Sequence, residues 1–185
     1  MRVMSEIAER YAVVAGRFTD RVAGMSPHLW EASSPCAGWK ARDVVAHVVD
    51  THNRVLASLD QSDPAAAGPD DDLPQLWVTA TDSLNAALCD QATAQKTVGG
   101  MFGEQSFEML VGRLLCADTL LHSWDLARAT GQDEVLDPDA VAKTLEFLTP
   151  IDDALRRPGG FAAKIEPAAG ADAQTRLLNF SGRAT

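Results

Sequence analysis

The segment that most constrains the fold is LLCADTLLHSWDLARATGQD, residues 114–133, which predicts a helix that is apolar on nearly every side. A helix of that kind is typical of a protein interior. Three polar residues nevertheless recur on it at spacings of four and three, namely Asp118, His122 and Asp125. Buried polar groups need partners, so this helix predicts either an internal hydrogen-bond network or a bound ligand.

Apolar residues recur at steps of three and four in four segments, which predicts four long helices. These helices are expected over residues 5–25, 40–60, 73–88 and 106–130. The last one should end at Gly131, because glycine is the residue that most readily caps the C-terminus of a helix.

Glycine, proline and helix-capping residues predict the connections between helices and the structure of the C-terminal region. The stretch TVGGMFGE should form a glycine-rich turn with a short extended piece. Asp137 is a candidate N-cap, with Pro138 at the first position of a fifth helix that Pro150 should kink or interrupt. A last turn of helix is expected around Leu177 and Leu178.

These elements predict an all-α protein built as an up-and-down or crossover four-helix bundle, with an additional C-terminal helix and a short irregular tail. A chain of 185 residues is expected to form a single domain, 1–185. Its core bundle should cover about 5–131 and its C-terminal extension about 132–185.

Charge and cysteine content exclude several classes of partner. The chain has 16 Lys and Arg against 26 Asp and Glu, a net charge of -10, which should repel nucleic acid and anionic membranes. We find no apolar run of the roughly 20 residues that span a bilayer. Glu6 and Glu9 interrupt the N-terminus where a signal peptide would be apolar, and three cysteines without CxxC spacing fit a reducing compartment. We therefore expect a cytoplasmic protein.

The spacing of Asp118 and His122 suits chelation, because side chains four apart on a helix lie about 5–6 Å from each other at Cβ. On this segment alone, a buried Asp–His hydrogen bond that fixes helix register is the favoured alternative. His47, beside the apolar stripe of the second helix, would complete a three-ligand set with open positions, which is typical of a catalytic metal site. His52, five residues later, should point away as a surface or rim residue, and His28 should be exposed.

The remaining candidates have alternative roles. Asp125 could accept the second N–H of a ligating histidine, replace Asp118 as a ligand, or make an ordinary helix-end hydrogen bond. Trp39 and Trp124 could line a pocket, although tryptophan at helical spacing is more often core. Cys36 precedes the second helix and could be a nucleophile, but a small core residue is the simpler interpretation.

Two motifs of this chain, SSPCAGWKARDVVAHVVD and LHSWDLARATGQD, resemble those of the DinB-like and mycothiol-dependent maleylpyruvate isomerase superfamily in its actinobacterial branch. The resemblance implies a DinB-like four-helix bundle and a divalent metal, zinc or nickel, at positions that match His47, Asp118 and His122. It also implies mycothiol or another low-molecular-weight thiol as cosubstrate. Asp118 departs from the glutamate of the isomerase by one methylene, and the chain after Gly131 looks too short for the isomerase's separate C-terminal domain.

The expected function is thus a metal-dependent thiol transferase or isomerase acting on a small molecule. Two alternatives remain open from the sequence. One is a non-catalytic bundle with a polar hydrogen-bond network in its core, which would associate as a homodimer. The other is a metal-dependent hydrolase that uses a bound water as nucleophile.

Overall fold

The computed structural model describes residues 4–100, 102–156 and 159–185 of the chain. The chain divides into two compact units, of which the first ends at Glu134 and the second spans Val135–Thr185. This division falls close to the predicted boundary between the core bundle and the C-terminal extension. The single-domain organisation stays a prediction.

The first unit is a helical bundle, as the sequence predicts, with a two-stranded antiparallel ribbon between its third and fourth long helices. Its elements are α1 (Glu6–Ala23), a 3-10 turn (Pro27–Glu31), α2 (Ala41–Ala57), α3 (Leu73–Cys89), α4 (Gln91–Ala94), β1 (Thr97–Val98), β2 (Gln105–Ser106), α5 (Phe107–Leu110) and α6 (Cys116–Thr130). Met101, within the predicted glycine-rich turn, lies outside the described residues.

Local signals in the sequence fix the ends of these helices. The side chain of Ser5 accepts a hydrogen bond from the amide of Ala8 and so caps α1. Asp72 caps α3 in the same way. Gly131 follows α6 with a φ of 69°, a left-handed conformation that favours glycine, and this confirms the predicted cap.

The fourth long helix of the sequence prediction is continuous but not uniform. Residues Val111–Leu115 form a π-helical turn between α5 and α6. Such a turn holds one residue more than an α-helical turn and recurs at functional sites. The turn lies immediately before the segment that carries Asp118 and His122, so it sets their rotational position relative to the residues before it.

The core of the first unit lies between α1, α2, α3 and α6. The largest side chains in it are aromatic, among them Tyr11, Phe18 and Trp77, each at most 1% exposed. Helix α2 contributes two buried stripes because it packs against both α3 and α6. The first stripe is the predicted one, and the second contains Val45, Val49 and His52.

The second unit contains three helical segments and one 3-10 turn among its described residues. These are α7 (Pro138–Leu148), the turn (Thr149–Ile151), α8 (Asp152–Leu155) and α9 (Ala173–Phe180). The Asp137 carboxylate accepts from the amide of Ala140, which confirms the predicted cap. The helix is interrupted at Pro150, also as predicted, and Arg157 at the end of the predicted segment lies outside the described residues.

Within the described ranges, no helix combines the length and the apolar character needed to cross a lipid bilayer.

Candidate metal centre

Three side chains from two helices of the first unit converge as the sequence predicts. His47 lies on α2, and Asp118 and His122 lie one turn apart on α6. His47 Nε2 is 3.2 Å from Asp118 Oδ1, and His122 Nε2 is 3.6 Å from the same oxygen. The side chain of His47 is 30% exposed and those of the other two are 16% or less, so the group lies at the edge of the core with access from the His47 side.

The proton on the His122 ring is fixed by a second carboxylate. His122 Nδ1 lies 2.9 Å from Asp125 Oδ2. An ionised carboxylate only accepts hydrogen bonds, so Nδ1 carries the hydrogen and Nε2 of the neutral ring presents a lone pair. That lone pair faces Asp118 Oδ1, another acceptor. Two acceptors 3.6 Å apart repel each other unless a proton or a cation is shared between them.

The separations of the three candidate ligand atoms fit a divalent ion. Zinc binds histidine nitrogen and carboxylate oxygen at about 2.0–2.2 Å in tetrahedral geometry, which places neighbouring ligand atoms about 3.3–3.6 Å apart. The separation of 3.6 Å lies within that range, and the separation of 3.2 Å lies 0.1 Å below it. All three atoms lie within 4.8 Å of one another. The residues present therefore fit a metal ion bound through two imidazoles and one carboxylate.

The electrostatics of Asp118 favour its charged form. Burial alone would raise the pKa of this carboxyl group. The opposing effects of His122, His47 and His52 outweigh burial and hold the pKa below its ordinary value. The carboxylate is therefore available as an anionic ligand at neutral pH.

Asp125 occupies the position of a supporting residue behind His122. It is 0% exposed, and its Oδ2 also lies 3.3 Å from the thiol sulfur of Cys36, which donates to it. A carboxylate that accepts the second N–H of a ligating histidine fixes the tautomer and orientation of that ring. The geometry of Asp125 suits this supporting role, which stays a prediction.

The same atoms form a second group of metal-ligand type, made of Cys36, His122 Nδ1 and Asp125. We consider it the weaker candidate. Both the S–H of Cys36 and the Nδ1–H of His122 are already used in hydrogen bonds to Asp125. A metal ion there would have to displace both protons, whereas the His122 Nε2 lone pair faces Asp118 without a proton of its own.

Cys36 and Trp39 both come from one tight loop before α2. The loop is closed by a bridge between Ser33 and Lys40, and the amide of Trp39 donates to the carbonyl of Cys36 at 2.9 Å. Gly38, with a φ of 79°, supplies the left-handed residue that this turn requires. The loop thereby places the thiol of Cys36 beside Asp125 and the indole of Trp39 beside His47 and His122.

The Trp39 ring lies against both candidate ligands. Its centroid is 5.0 Å from that of His47 and 5.9 Å from that of His122, with the latter pair stacked. Trp39 thus forms a wall of the site. Trp124 is 1% exposed, two residues beyond His122 on α6, and its ring packs under the guanidinium of Arg128 at 5.1 Å. Residues two apart on a helix point in nearly opposite directions, so Trp124 faces away from the site.

One position departs from the sequence prediction. His52 is not a surface or rim residue: it is 0% exposed, with its Nδ1 2.7 Å from the carbonyl oxygen of Val48. The reason is the second buried stripe of α2, on which His52 follows Val49 by three residues. The steps of four and three through Val45, Val49 and His52 are the sequence signal that could have revealed it. His28 is exposed as predicted.

Comparison with known proteins identifies the family. The model of the mycothiol maleylpyruvate isomerase N-terminal domain matches residues 11–127, which include His47, Asp118, His122 and Asp125. The chain belongs to this family. The bundle is accordingly a DinB-like fold, as its two motifs imply.

The curated relatives are themselves without an assigned function. The chain is similar to the uncharacterized proteins Rv0738 and MT0763 of Mycobacterium tuberculosis, strains H37Rv and CDC 1551, with 31% identity to each over 119 residues. The match covers 60% of this chain and 60% of each relative, so the chain spans less than two thirds of their length. No solved structure matches the chain.

Proposed function

We propose that the chain binds a divalent metal ion through His47 Nε2, Asp118 and His122 Nε2 and uses it in the chemistry of a low-molecular-weight thiol. The observation that carries the proposal is the pair of facing acceptors, His122 Nε2 and Asp118 Oδ1, with His47 Nε2 close to the same oxygen. Zinc or nickel suits this set, because imidazole nitrogen is a preferred ligand of both ions.

When bound, such an ion supplies a thiolate nucleophile near neutral pH, because it lowers the pKa of a coordinated thiol. Three protein ligands leave a coordination position open, which is the arrangement of catalytic rather than structural zinc sites. Membership of the mycothiol maleylpyruvate isomerase family supports mycothiol as the first thiol to consider. The reaction we propose is thiol transfer to, or thiol-assisted isomerisation of, a small electrophile.

The side chains of the chain itself would prepare the site for this chemistry. Asp125 retains the proton at His122 Nδ1 and so keeps the Nε2 lone pair aimed at the ligand position. Trp39 excludes water from one side of the two histidine rings. The partly exposed side of His47 leaves a route by which a thiol and a small electrophile can approach.

A non-catalytic role has one observation in its favour. The 3.2 Å contact between His47 Nε2 and Asp118 Oδ1 has the length of an ordinary hydrogen bond. It would hold α2 against α6 without any metal. A proton on His122 Nε2 would likewise satisfy its contact with Asp118. We prefer the metal because three ligand atoms from two helices lie together at separations close to those of a zinc site.

Metal analysis of untagged protein separates the two functions. We expect near-stoichiometric zinc or nickel in the wild type and its loss in His47→Ala and His122→Ala, whereas His28→Ala, which changes an exposed histidine, should retain it. Wild-type protein that contains no metal and takes up neither ion would contradict the proposal and leave a structural network.

A thiol-dependence assay then separates transfer from hydrolysis. The metal-loaded protein is offered a chromogenic halo-aromatic electrophile with mycothiol, bacillithiol or glutathione. We expect turnover only when a thiol is present. Turnover of an activated ester with no thiol would instead indicate a hydrolase that uses bound water.

A further inference from the structure

Several buried polar atoms inside the first unit have no hydrogen-bond partner among the residues that the structure describes. They are Tyr11 Oη, His52 Nε2, Asp118 Oδ2, Thr119 Oγ1 and Ser123 Oγ, each with less than 1 Å² of its surface exposed. Folded proteins leave few buried polar groups unsatisfied, because each one costs the free energy of its lost hydration. A concentration of them on α1, α2 and α6 of one bundle points to a bound molecule that satisfies them.

Ring contacts and electrostatics place the central members of this group side by side. The ring centroids of Tyr11 and His52 are 5.9 Å apart, and the Trp77 ring lies edge-to-face with His52 at 4.8 Å. Burial lowers the pKa of His52, and the charge of Asp118 opposes that effect, while His52 in turn helps to lower the pKa of Asp118. His52 of α2 is thus within electrostatic range of the carboxylate of α6 and close to the phenol of α1.

Helix periodicity places the two hydroxyl groups of α6 on the side that faces Tyr11. Cys116, Thr119 and Ser123 follow one another at steps of three and four, so they share one side of α6. Helix α6 packs against α1, and Cys116 is buried and close enough to Tyr11 to help raise the pKa of its hydroxyl, so we place this side of α6 toward α1. The hydroxyl groups of Thr119 and Ser123 therefore belong to the same set of unpartnered polar atoms, at the interface between α1 and α6.

The hydrogen-bond capacities of His52 and Asp118 define the missing partner. His52 Nδ1 lies 2.7 Å from the Val48 carbonyl oxygen and must carry the ring hydrogen, so Nε2 of the neutral ring only accepts. Asp118 Oδ2 also only accepts. The two atoms cannot bond to each other, and they need a small molecule with two donors.

We infer that an ordered water molecule bridges His52 Nε2 and Asp118 Oδ2 and accepts a hydrogen bond from the Tyr11 hydroxyl. The water donates both hydrogens and accepts one, which satisfies three of the unpartnered atoms at once. Buried waters in proteins typically make about three hydrogen bonds of this kind. The bridge leaves none of these three atoms without a partner.

The bridge gives His52 and Tyr11 a function as positioning residues. Asp118 would be held at Oδ2 from inside the bundle, so that its Oδ1 keeps facing His47 and His122. This consequence rests on the proposed metal function, whereas the water itself does not. The water can be tested on metal-free protein.

The first experiment is a high-resolution crystal structure of the metal-free full-length chain together with the denaturation midpoint of Tyr11→Phe. Electron density within about 3 Å of His52 Nε2 and Asp118 Oδ2 is expected. Loss of the hydroxyl should lower the midpoint, because the water loses its donor. An interior without density, or a midpoint that is unchanged or raised on removing the hydroxyl, would overturn the inference, because an unpaired buried hydroxyl is destabilising.

The second experiment measures zinc affinity by competition with a chromogenic chelator. We expect the Kd of Tyr11→Phe to rise about 10-fold, as for other residues that support a metal ligand indirectly. The matched control is Thr130→Val, which removes a buried α6 hydroxyl that donates to the Leu126 carbonyl and should leave the Kd unchanged. A Tyr11→Phe Kd equal to that of the wild type would refute the positioning role. Absence of zinc binding in the wild type would refute the metal function and leave the water to be decided by the first experiment.

Discussion

His122 and His52 are two buried histidines of the same bundle, and they differ in what lies against each ring nitrogen. His122 has a carboxylate at both, with Asp125 at Nδ1 and Asp118 near Nε2. His52 has a backbone carbonyl at Nδ1 and two aromatic rings beside it, with no carboxylate in direct contact with either ring nitrogen among the contacts of the described residues. Negative charge on both sides favours a cation on His122, whereas burial outweighs the more distant charge of Asp118 and keeps His52 neutral. Burial alone therefore does not distinguish a ligand from a core histidine.

The largest expected effect removes the ligand histidine. His122→Ala should weaken zinc binding about 1,000-fold or more, because a direct ligand contributes more than the supporting residues whose loss weakens affinity about 10–100-fold. Chelator competition gives the two Kd values. If His52→Ala weakened zinc binding as strongly as His122→Ala, the distinction between a ligand histidine and a core histidine would be contradicted.

The next largest effect is a dependence of the free energy of unfolding on pH, caused by His52. Burial lowers the pKa of His52 from 6.5 to about 4, against weaker raising effects from Val48 and Asp118. Between these pH values the unfolded chain binds a proton that the folded chain does not bind. The free energy of unfolding should therefore fall as the pH drops through this window, by about 3 kcal/mol at its lower end.

Urea denaturation of metal-free protein at pH 7 and pH 4 measures this loss. The control is His52→Leu, which retains every other titrating group. Its loss of stability between the two pH values should be smaller than that of the wild type by about the stated amount. Equal losses in the two proteins would show that His52 titrates normally.

A smaller effect on zinc affinity is expected from changing Asp125, the carboxylate that contacts His122 Nδ1. Asp125→Asn retains an oxygen that accepts from Nδ1 but removes the negative charge, so the Kd for zinc should rise about 10–100-fold. Asp63→Asn removes a charge from an exposed loop position and should leave the Kd unchanged. If Asp125→Asn behaved like Asp63→Asn, the second carboxylate would not be the feature that distinguishes His122 from His52.

The smallest effect should come from the thiol. Cys36→Ala removes the S–H that donates to Asp125, and because a thiol is a weak donor the Kd should rise only about 3-fold. Cys36→Ser should restore most of the affinity through its hydroxyl. Cys89→Ala, at an exposed cysteine, serves as the control. A Kd for Cys36→Ala equal to that of Cys89→Ala would show that the Cys36 thiol does not support metal binding.

Much of the bundle could be predicted because it depends on local signals. Apolar periodicity located the long helices, and Gly131, Asp137 and Pro150 marked boundaries that the structure confirms. Chelate spacing on one helix is also local, which is why Asp118 and His122 could be paired from the sequence. The structure brings His47 to them, although their role as ligands stays a prediction.

The remaining features depend on packing between distant segments. Residue 52 is buried because α2 is covered by two neighbours. The second stripe through Val45 and Val49 is a local signal, but it does not by itself show that another helix covers it. The contact of Cys36 with Asp125 joins residues 89 positions apart through a loop whose path no local pattern specifies. The π-helical turn at Val111–Leu115 has the sequence VGRLL, in which no local pattern separates a π-helical turn from an α-helical one.

That turn has a consequence for how the site tolerates changes of chain length in a lineage. An α-helix advances about 100° per residue, so the loss of one residue from an ordinary helical stretch rotates everything beyond it by that angle. A π-helical turn completes the same rotation with one residue more, so the loss of one residue from Val111–Leu115 would restore an ordinary turn and leave Asp118 and His122 on the face that meets His47. A single-codon deletion there could thus shorten the gene while the convergence of the three candidate ligands stayed intact.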